Sequence, residues 1–173
     1  AFSPKLPPLK QQAIHDIDMA VMNYIGLKFS TDIFGFGSDA YATQQQHDET
    51  GVGYLTHANE SHLTYGYVGG TQARLLELEP MKTVVAYGLD GLKSMLGNDI
   101  EKYFVKGFAT ACGKVPLFDG AYSAVRPGKV LARRALGVTL ENRLFFSGEA
   151  THLSQPSTVN GGLERGRETA LEV

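Results

Sequence analysis

Two short segments carry residue types that could do chemistry. The first is Phe145-Phe146-Ser147-Gly148-Glu149-Ala150-Thr151-His152, an apolar stretch opening into a glycine and an acid. The second is Pro156-Ser157-Thr158-Val159-Asn160-Gly161-Gly162, which reads as a helix start. Together they predict a buried strand over 143–147, a tight turn at the glycine, and a helix over 158–173. A strand that runs into small residues and a helix N-terminus is how α/β proteins present backbone donors to an anionic or polar group. The amides of Thr158, Val159 and Asn160 lie at the positive end of the helix dipole, which suits a group that gains negative charge during reaction. Gly161 and Gly162 carry no side chain, so a flat ring could approach the backbone there. Glu149 could accept hydrogen bonds from sugar-type hydroxyls. The same residue types allow a plainer reading, with Ser157 or Thr158 as an N-cap, the glycines packing the helix, and Glu149 as a solvated turn residue.

The elements that must position these groups follow from periodicity. Pro7-Pro8 opens a short amphipathic helix over 7–16, with Leu9, Ala13, Ile14 and Ile17 on one face. Residues 19–29 read as a strand, and 30–50 as a polar loop with a frayed strand. The runs 51–58 and 62–69, separated by Asn59-Glu60-Ser61, predict a hairpin. Residues 71–78 and 81–96 are helical in pattern, the second through Val84, Val85, Leu89, Leu92 and Leu96. Residues 103–112 read as a further strand, 113–129 as a glycine- and proline-punctuated crossing, and 130–136 as a short helix. The fold class expected is α+β, a mixed, mostly antiparallel sheet with flanking helices. A substrate-binding domain over 1–119 would precede a C-terminal segment over 120–173. Gln44-Gln45-Gln46 is too short to count as low complexity.

The 173 residues carry a net charge of −2, 20% charged and 43% hydrophobic. That balance offers no electrostatic case for nucleic acid or an acidic membrane surface. No apolar run approaches the roughly 20 residues that span a bilayer. The single cysteine, Cys112, excludes an internal disulfide framework and fits a reducing, cytoplasmic compartment, where it is expected to be buried and inert. No metal site is expected, because His15, His47, His57, His62 and His152 lack ligand spacing; His57 and His62 read as surface residues near a turn. No signal-peptide pattern is visible, and both ends read as cuts within a longer protein.

Four blocks in order give the chain a family resemblance. Arg143 to His152 followed by Ser157 to Gly161 resembles the flavin amine oxidase pattern RLFFAGEATH…GTVHGAYLSG. Gly120-Ala121-Tyr122-Ser123 with Arg126-Pro127-Gly128 resembles that family's G-[AS]-Y-S…PG segment. Phe2 to Ile14 and Met19-Ala20-Val21 resemble its F-x-P-x-LP-x-x-K-x-x-AI…MG segment. The family includes monoamine, polyamine and L-amino-acid oxidases.

The resemblance implies FAD as cofactor and a small amine or amino-acid substrate. It implies cofactor contacts from Gly148, Glu149 and Ala150 and from Thr158, Val159 and Asn160, with Tyr122 on the substrate side of the flavin. It also places Tyr24 where many members have a lysine at flavin N5, with Lys28 on the same strand face. The family's G-x-G-x-x-G is absent; Gly35-Phe36-Gly37-Ser38-Asp39-Ala40 has the spacing but not the strand-to-helix context. The expected partner is therefore a missing N-terminal FAD-binding region. An uncovered apolar face at Phe145, Phe146, Val159 and Leu163 further predicts a homodimer or a rearranged C-terminal segment. Lack of tryptophan and Thr158 at a cage position argue against a full aromatic cage. The expected activity is oxidation of an amine to an imine by hydride transfer to flavin, with O2 reoxidation to peroxide. The alternatives are a noncatalytic interaction module that keeps the fold, and an oxidase assembled from two chains.

Overall fold

The computed structural model describes residues 2–35, 37–44 and 50–173. The contacts divide the chain into two compact units, residues 21–121 and residues 1–20 with 122–173. One division falls at 121/122, where the sequence predicts its boundary at 119/120. The second division, at 20/21, joins the first twenty residues to the C-terminal segment.

The central unit is built on a five-stranded sheet. Its strands are β2 (Met22–Phe29), β3 (Ala40–Thr43), β4 (Gly53–Thr56), β5 (Leu63–Gly69) and β6 (Phe104–Ala109), in the order β3-β4-β5-β2-β6. Every ladder in it is antiparallel. Along β2 the odd positions Asn23, Ile25, Leu27 and Phe29 are buried, while Tyr24 and Lys28 are exposed. That period of two puts one face in a core and leaves the other open. The helices α2 (Gly70–Glu77) and α3 (Met81–Leu96) supply the covering layer, with Ala73, Leu76, Val84, Leu89 and Leu92 in the core.

Helix α3 packs closely on the sheet where Gly88 and Gly91 face it. A Cβ on Gly88 would sit 2.8 Å from Ile25 Cγ2. The closeness lets the buried Tyr54 hydroxyl donate to the Gly88 carbonyl at 2.7 Å. Burial, with Tyr87 and Asp90 adding to it, pushes the Tyr54 phenol pKa up, so it stays a donor.

The other unit pairs β1 (Ile17–Ala20) with β7 (Tyr122–Val125). The run 19–29, expected as one strand, is therefore two strands in two sheets, and the expected crossing segment contains β7. Arg126 clamps this ladder with a bidentate pair to Asp18, at 2.8 and 2.9 Å. Helices α1 (Pro8–His15), α4 (Ala132–Gly137) and α5 (Val159–Glu172) complete the unit. On α1 the buried residues are Lys10 and Ala13, while Leu9 is 80% exposed and Ile14 is also exposed, contrary to the apolar face expected from spacing. Lys10 is only 2% exposed. Its ammonium donates to the carbonyls of Leu136 and Val138, at 2.6 and 2.5 Å, and lies 3.9 Å from the Phe146 ring centre. It thus satisfies carbonyls at the end of α4, and burial pushes its pKa down.

Residues 143–147 do not form the expected strand. Their one pairing is an isolated bridge between Leu144 and Leu140, closed over Glu141 and Asn142, which hold φ of 52° and 50°. A strand requires a partner's ladder, and no second strand lies alongside Phe145–Ser147 among the described residues.

Two substitutions test these packing arguments. Gly88→Ala overpacks the α3–sheet contact and should cost about 1–3 kcal/mol, read as a lower urea midpoint by far-UV circular dichroism. Lys10→Met leaves two carbonyls without their donor and should cost roughly 1–3 kcal/mol in the same assay.

Candidate functional site

The glycine–acid turn is organised by one carboxylate. Gly148 holds φ 112°, a conformation open to glycine, and residues 149–151 form a single 3₁₀ turn. The turn directs Glu149 toward β7. Its Oε1 accepts the Ser123 amide at 2.8 Å, and its Oε2 accepts the Ser123 hydroxyl at 2.7 Å and the Ser157 amide at 2.6 Å. Arg133 on α4, 5% exposed, lies 3.9 Å from Oε2. It donates to the Ser123 hydroxyl at 2.6 Å, the Ala150 carbonyl at 3.1 Å and the Ser123 carbonyl at 3.2 Å. The Ser157 hydroxyl also donates to the Ser123 carbonyl, at 2.7 Å.

Glu149 is therefore not a solvated turn residue. Burial raises its pKa, but the Ser123 hydroxyl and amide, the Ser157 amide and the Arg133 charge outweigh that and hold it below the usual glutamate range. An ionised carboxylate has about four acceptor positions. Three are taken, which leaves one on Oε1. Desolvation pushes the Arg133 guanidinium down, while Glu149 opposes the shift.

The start of α5 is prepared by the same network. Ser157, immediately before the cap, is held at φ 62°, a conformation non-glycine residues rarely adopt. Thr158 is the N-cap, its hydroxyl accepting from the Gly161 amide at 2.9 Å and donating to the Gln155 carbonyl at 2.8 Å. The Val159 and Asn160 amides have no acceptor within the helix, and Val159 is 89% exposed. Gly161 does not leave room for a ring, since a Cβ there would lie 1.9 Å from the Gln155 carbonyl oxygen. Its small size serves the packing of the preceding loop. His152 Nδ1 accepts from the Gln155 amide at 2.9 Å and faces the Ser154 amide at 3.3 Å, so the tautomer with hydrogen on Nε2 fits, donating to Glu164 at 2.8 Å.

The open face of the central sheet carries a second feature. Cross-strand register aligns Tyr41, Leu55, Tyr65, Gly26 and Phe108 in one row over all five strands. The next row runs Thr43, Gly53, Tyr67, Tyr24. The glycines are the reason the surface is concave. A Cβ on Gly26 would collide with the Phe108 ring, and one on Gly53 with the Tyr67 ring, so both rings lie down over bare backbone. The result is a trough of about 590 Å³ lined by Met22, Tyr24, Tyr41, Tyr65, Tyr67, Phe108 and their neighbours, with no charged residue in its wall among the described residues. Sequence reasoning reached Tyr24 but missed Tyr41, Tyr65, Tyr67 and Phe108. The signal was available in Tyr65-Gly66-Tyr67, two tyrosines on one face of a strand.

Tyr24 lies in the sheet unit, with its amide donating to Thr110 Oγ1 at 2.8 Å. Tyr122 lies in the other unit, half-buried beside Ser123 and opposite Ala20. Lys28 shares the Tyr24 face but does not line the trough. His57 is buried rather than on the surface: its Nε2 meets Asp32 at 2.5 Å and its Nδ1 faces the Ser61 carbonyl. His62 is exposed, as expected, with its ring centre 6.2 Å from that of His57. Cys112 is half-buried, its amide donating to the buried Asn23. Phe36, Gln45, Gln46 and His47 lie outside the described residues; Ala40, at the end of the glycine-spaced run, begins β3 and no helix.

Residues 1–173 match the family described as flavin containing amine oxidoreductase. The chain is 28% identical over 178 residues to lysine-specific histone demethylase 1 homolog 3 of Arabidopsis thaliana, covering 99% of this chain and 11% of that protein. It is 27% identical over 182 residues to homolog 2 of the same plant, covering 99% of this chain and 24% of that protein. Its fold is similar to that of cyclohexylamine oxidase from Brevibacterium oxydans IH-35A, with a TM-score of 0.80 at 18% identity, over 98% of this chain and 38% of that one. The chain thus spans a minor part of each.

The carboxylate network makes a pH prediction. The folded pKa of Glu149 is depressed, so its stabilising contribution is complete above the ordinary glutamate range and is lost as pH falls through the folded value. Melting curves from neutral to acid pH should show that decline. Glu149→Gln should lower stability at neutral pH by about 1–3 kcal/mol, because its NH2 meets a donor, and should flatten the acid limb. An acid limb identical to the parent's would remove Glu149 from this role.

Proposed function

The chain belongs to the flavin-containing amine oxidoreductase family, and from that membership we propose that it supplies the substrate-facing sheet and a C-terminal cofactor-contacting segment of an FAD-dependent amine oxidase. The substrate is a small amine or amino acid, converted to the imine. When bound, FAD supplies the hydride acceptor, and O2 reoxidation yields hydrogen peroxide. The observation that carries the reading is the uncharged aromatic trough, with Tyr24 in its wall. Concave, mostly apolar sites with few polar groups are what small ligands occupy.

The residues fit the cofactor in part. Glu149 retains one acceptor position for a hydroxyl, and the Gly148–Ala150 turn presents it. The Val159 and Asn160 amides, on exposed residues past the Thr158 cap, offer donors at the positive end of α5 to an edge gaining negative charge. Tyr24 is assigned to the trough wall, where its ring orients the amine and excludes water, and Tyr122, in the other unit, keeps the role that the resemblance implies, on the substrate side of the flavin. The cofactor's phosphates require a separate N-terminal region as partner. The exposed Val159 and Leu163 support an uncovered face for it, or for a second copy of this chain, whereas Phe145 and Phe146, expected on that face, are half-buried. A cytoplasmic setting is proposed on the lone cysteine.

A second reading, a noncatalytic module that keeps the fold, draws support from Tyr24 at the position where the resemblance implies a lysine. The curated relatives are named for histone-lysine demethylation, which makes a methylated lysine side chain a competing substrate.

Two measurements separate these. The purified 173-residue chain should bind FAD weakly or not at all; tight stoichiometric binding would overturn the half-site reading. The protein joining this chain to its cofactor-binding region should show flavin absorbance, bleach anaerobically with an amine and release peroxide in air. A flavin-loaded protein that no amine in a broad panel bleaches would favour the module.

A further inference from the structure

The open sheet face does not end at the aromatic rows. One step further along the strands, Lys28 on β2 stands directly opposite Lys106 on β6. Both are exposed. Directly opposed residues have Cβ atoms about 4.5–5.5 Å apart, close enough for like charges to oppose sheet formation. Neither lysine forms an ion pair or side-chain hydrogen bond among the described residues. A lysine on an edge strand guards against edge-to-edge association, and β6 is such an edge. That accounts for Lys106 but not for Lys28, because β2 lies between β5 and β6. The ladder shifts register directly after the pair, between Lys28 and Phe29. Irregularities of that kind re-aim side chains and recur beside functional sites.

We propose that Lys28 and Lys106 form the anion-binding end of the aromatic trough, so that the amine accepted there also carries a carboxylate or phosphate. The proposal rests on the trough being the substrate site. Two residues along a strand advance about 6.6–6.8 Å, which is the offset from the lysines to the Gly26–Phe108 row. A flat or aliphatic body would lie over Tyr65 and Phe108, with its anionic group between the two ammoniums. Among the described residues the wall supplies no competing counter-ion. The same pair repels a basic polypeptide, so the charge selects against one class of amine as it selects for another.

The test uses 3-phenylpropanoate, its uncharged methyl ester and phenethyl phosphate, titrated into the isotope-labelled 173-residue chain and followed by NMR. Both acids should shift the Lys28 and Lys106 side-chain signals and the Tyr65 and Phe108 ring signals along one saturation curve. The ester should move the rings alone and bind roughly tenfold more weakly. The advantage of the acids should shrink at high salt. Lys28→Gln and Lys106→Gln should each remove that advantage while the ester binds as before, which also reports that the trough is intact. Equal binding of acid and ester, or an advantage that survives both substitutions, overturns the proposal. Binding confirmed in a flavin-loaded protein that oxidises no amine would overturn the oxidase reading and leave the anion site standing.

Discussion

The C-terminal unit depends on a single carboxylate that accepts from three donors on two separate segments. Glu149 binds the Ser123 amide and hydroxyl on β7 and the Ser157 amide before α5. Without it, those two amides would lack this acceptor, and unmet buried donors cost free energy. Arg133 completes the arrangement by donating to Ser123 and to the Ala150 carbonyl. Strand, turn and helix start are thereby held in one geometry. The unfavourable φ of Ser157 persists because its amide and hydroxyl are both bonded. Glu149 is thus a keystone of this unit, with one acceptor position left over.

The sheet unit shapes its open face by the opposite means. Among the described residues, no lysine, arginine, aspartate or glutamate of this unit is buried. Gly26 and Gly53 remove side chains from the centre of the open face, and the Phe108 and Tyr67 rings settle into the space. On the covered face, Gly88 and Gly91 let α3 sink onto Ile25 and Tyr54. Glycines in strands and helices weaken those elements locally. Here they permit close approach on both faces of one sheet, so the core and the trough share a cause.

Part of this was legible along the chain. The helix over 81–96, the hairpin of β4 and β5, and the alternation that separates Tyr24 and Lys28 from the core all follow from hydrophobic period, a local property. Lys10 shows the limit. Spacing put Leu9 and Ile14 on the buried face of α1, yet the side chain that goes inside is a lysine, because distant carbonyls at Leu136 and Val138 are there to receive it. Likewise Phe145-Phe146-Ser147 has the composition of a buried strand, but a strand exists only through its neighbour's hydrogen bonds.

What the sequence by itself determined was the family, through four ordered motif blocks, along with the antiparallel α+β character and the position of the glycine–acid turn. What only the tertiary structure decided was which donors Glu149 meets, that Ser123 and Arg133 belong to that cluster, and that Tyr41, Tyr65, Tyr67 and Phe108 converge on one trough with Lys28 and Lys106 beyond it. The physical reason is sequence distance. Periodicity reports how a residue faces relative to its near neighbours, whereas the pairing of Ser123 with Glu149, or of Lys28 with Lys106, is set by register and packing between segments far apart in the chain.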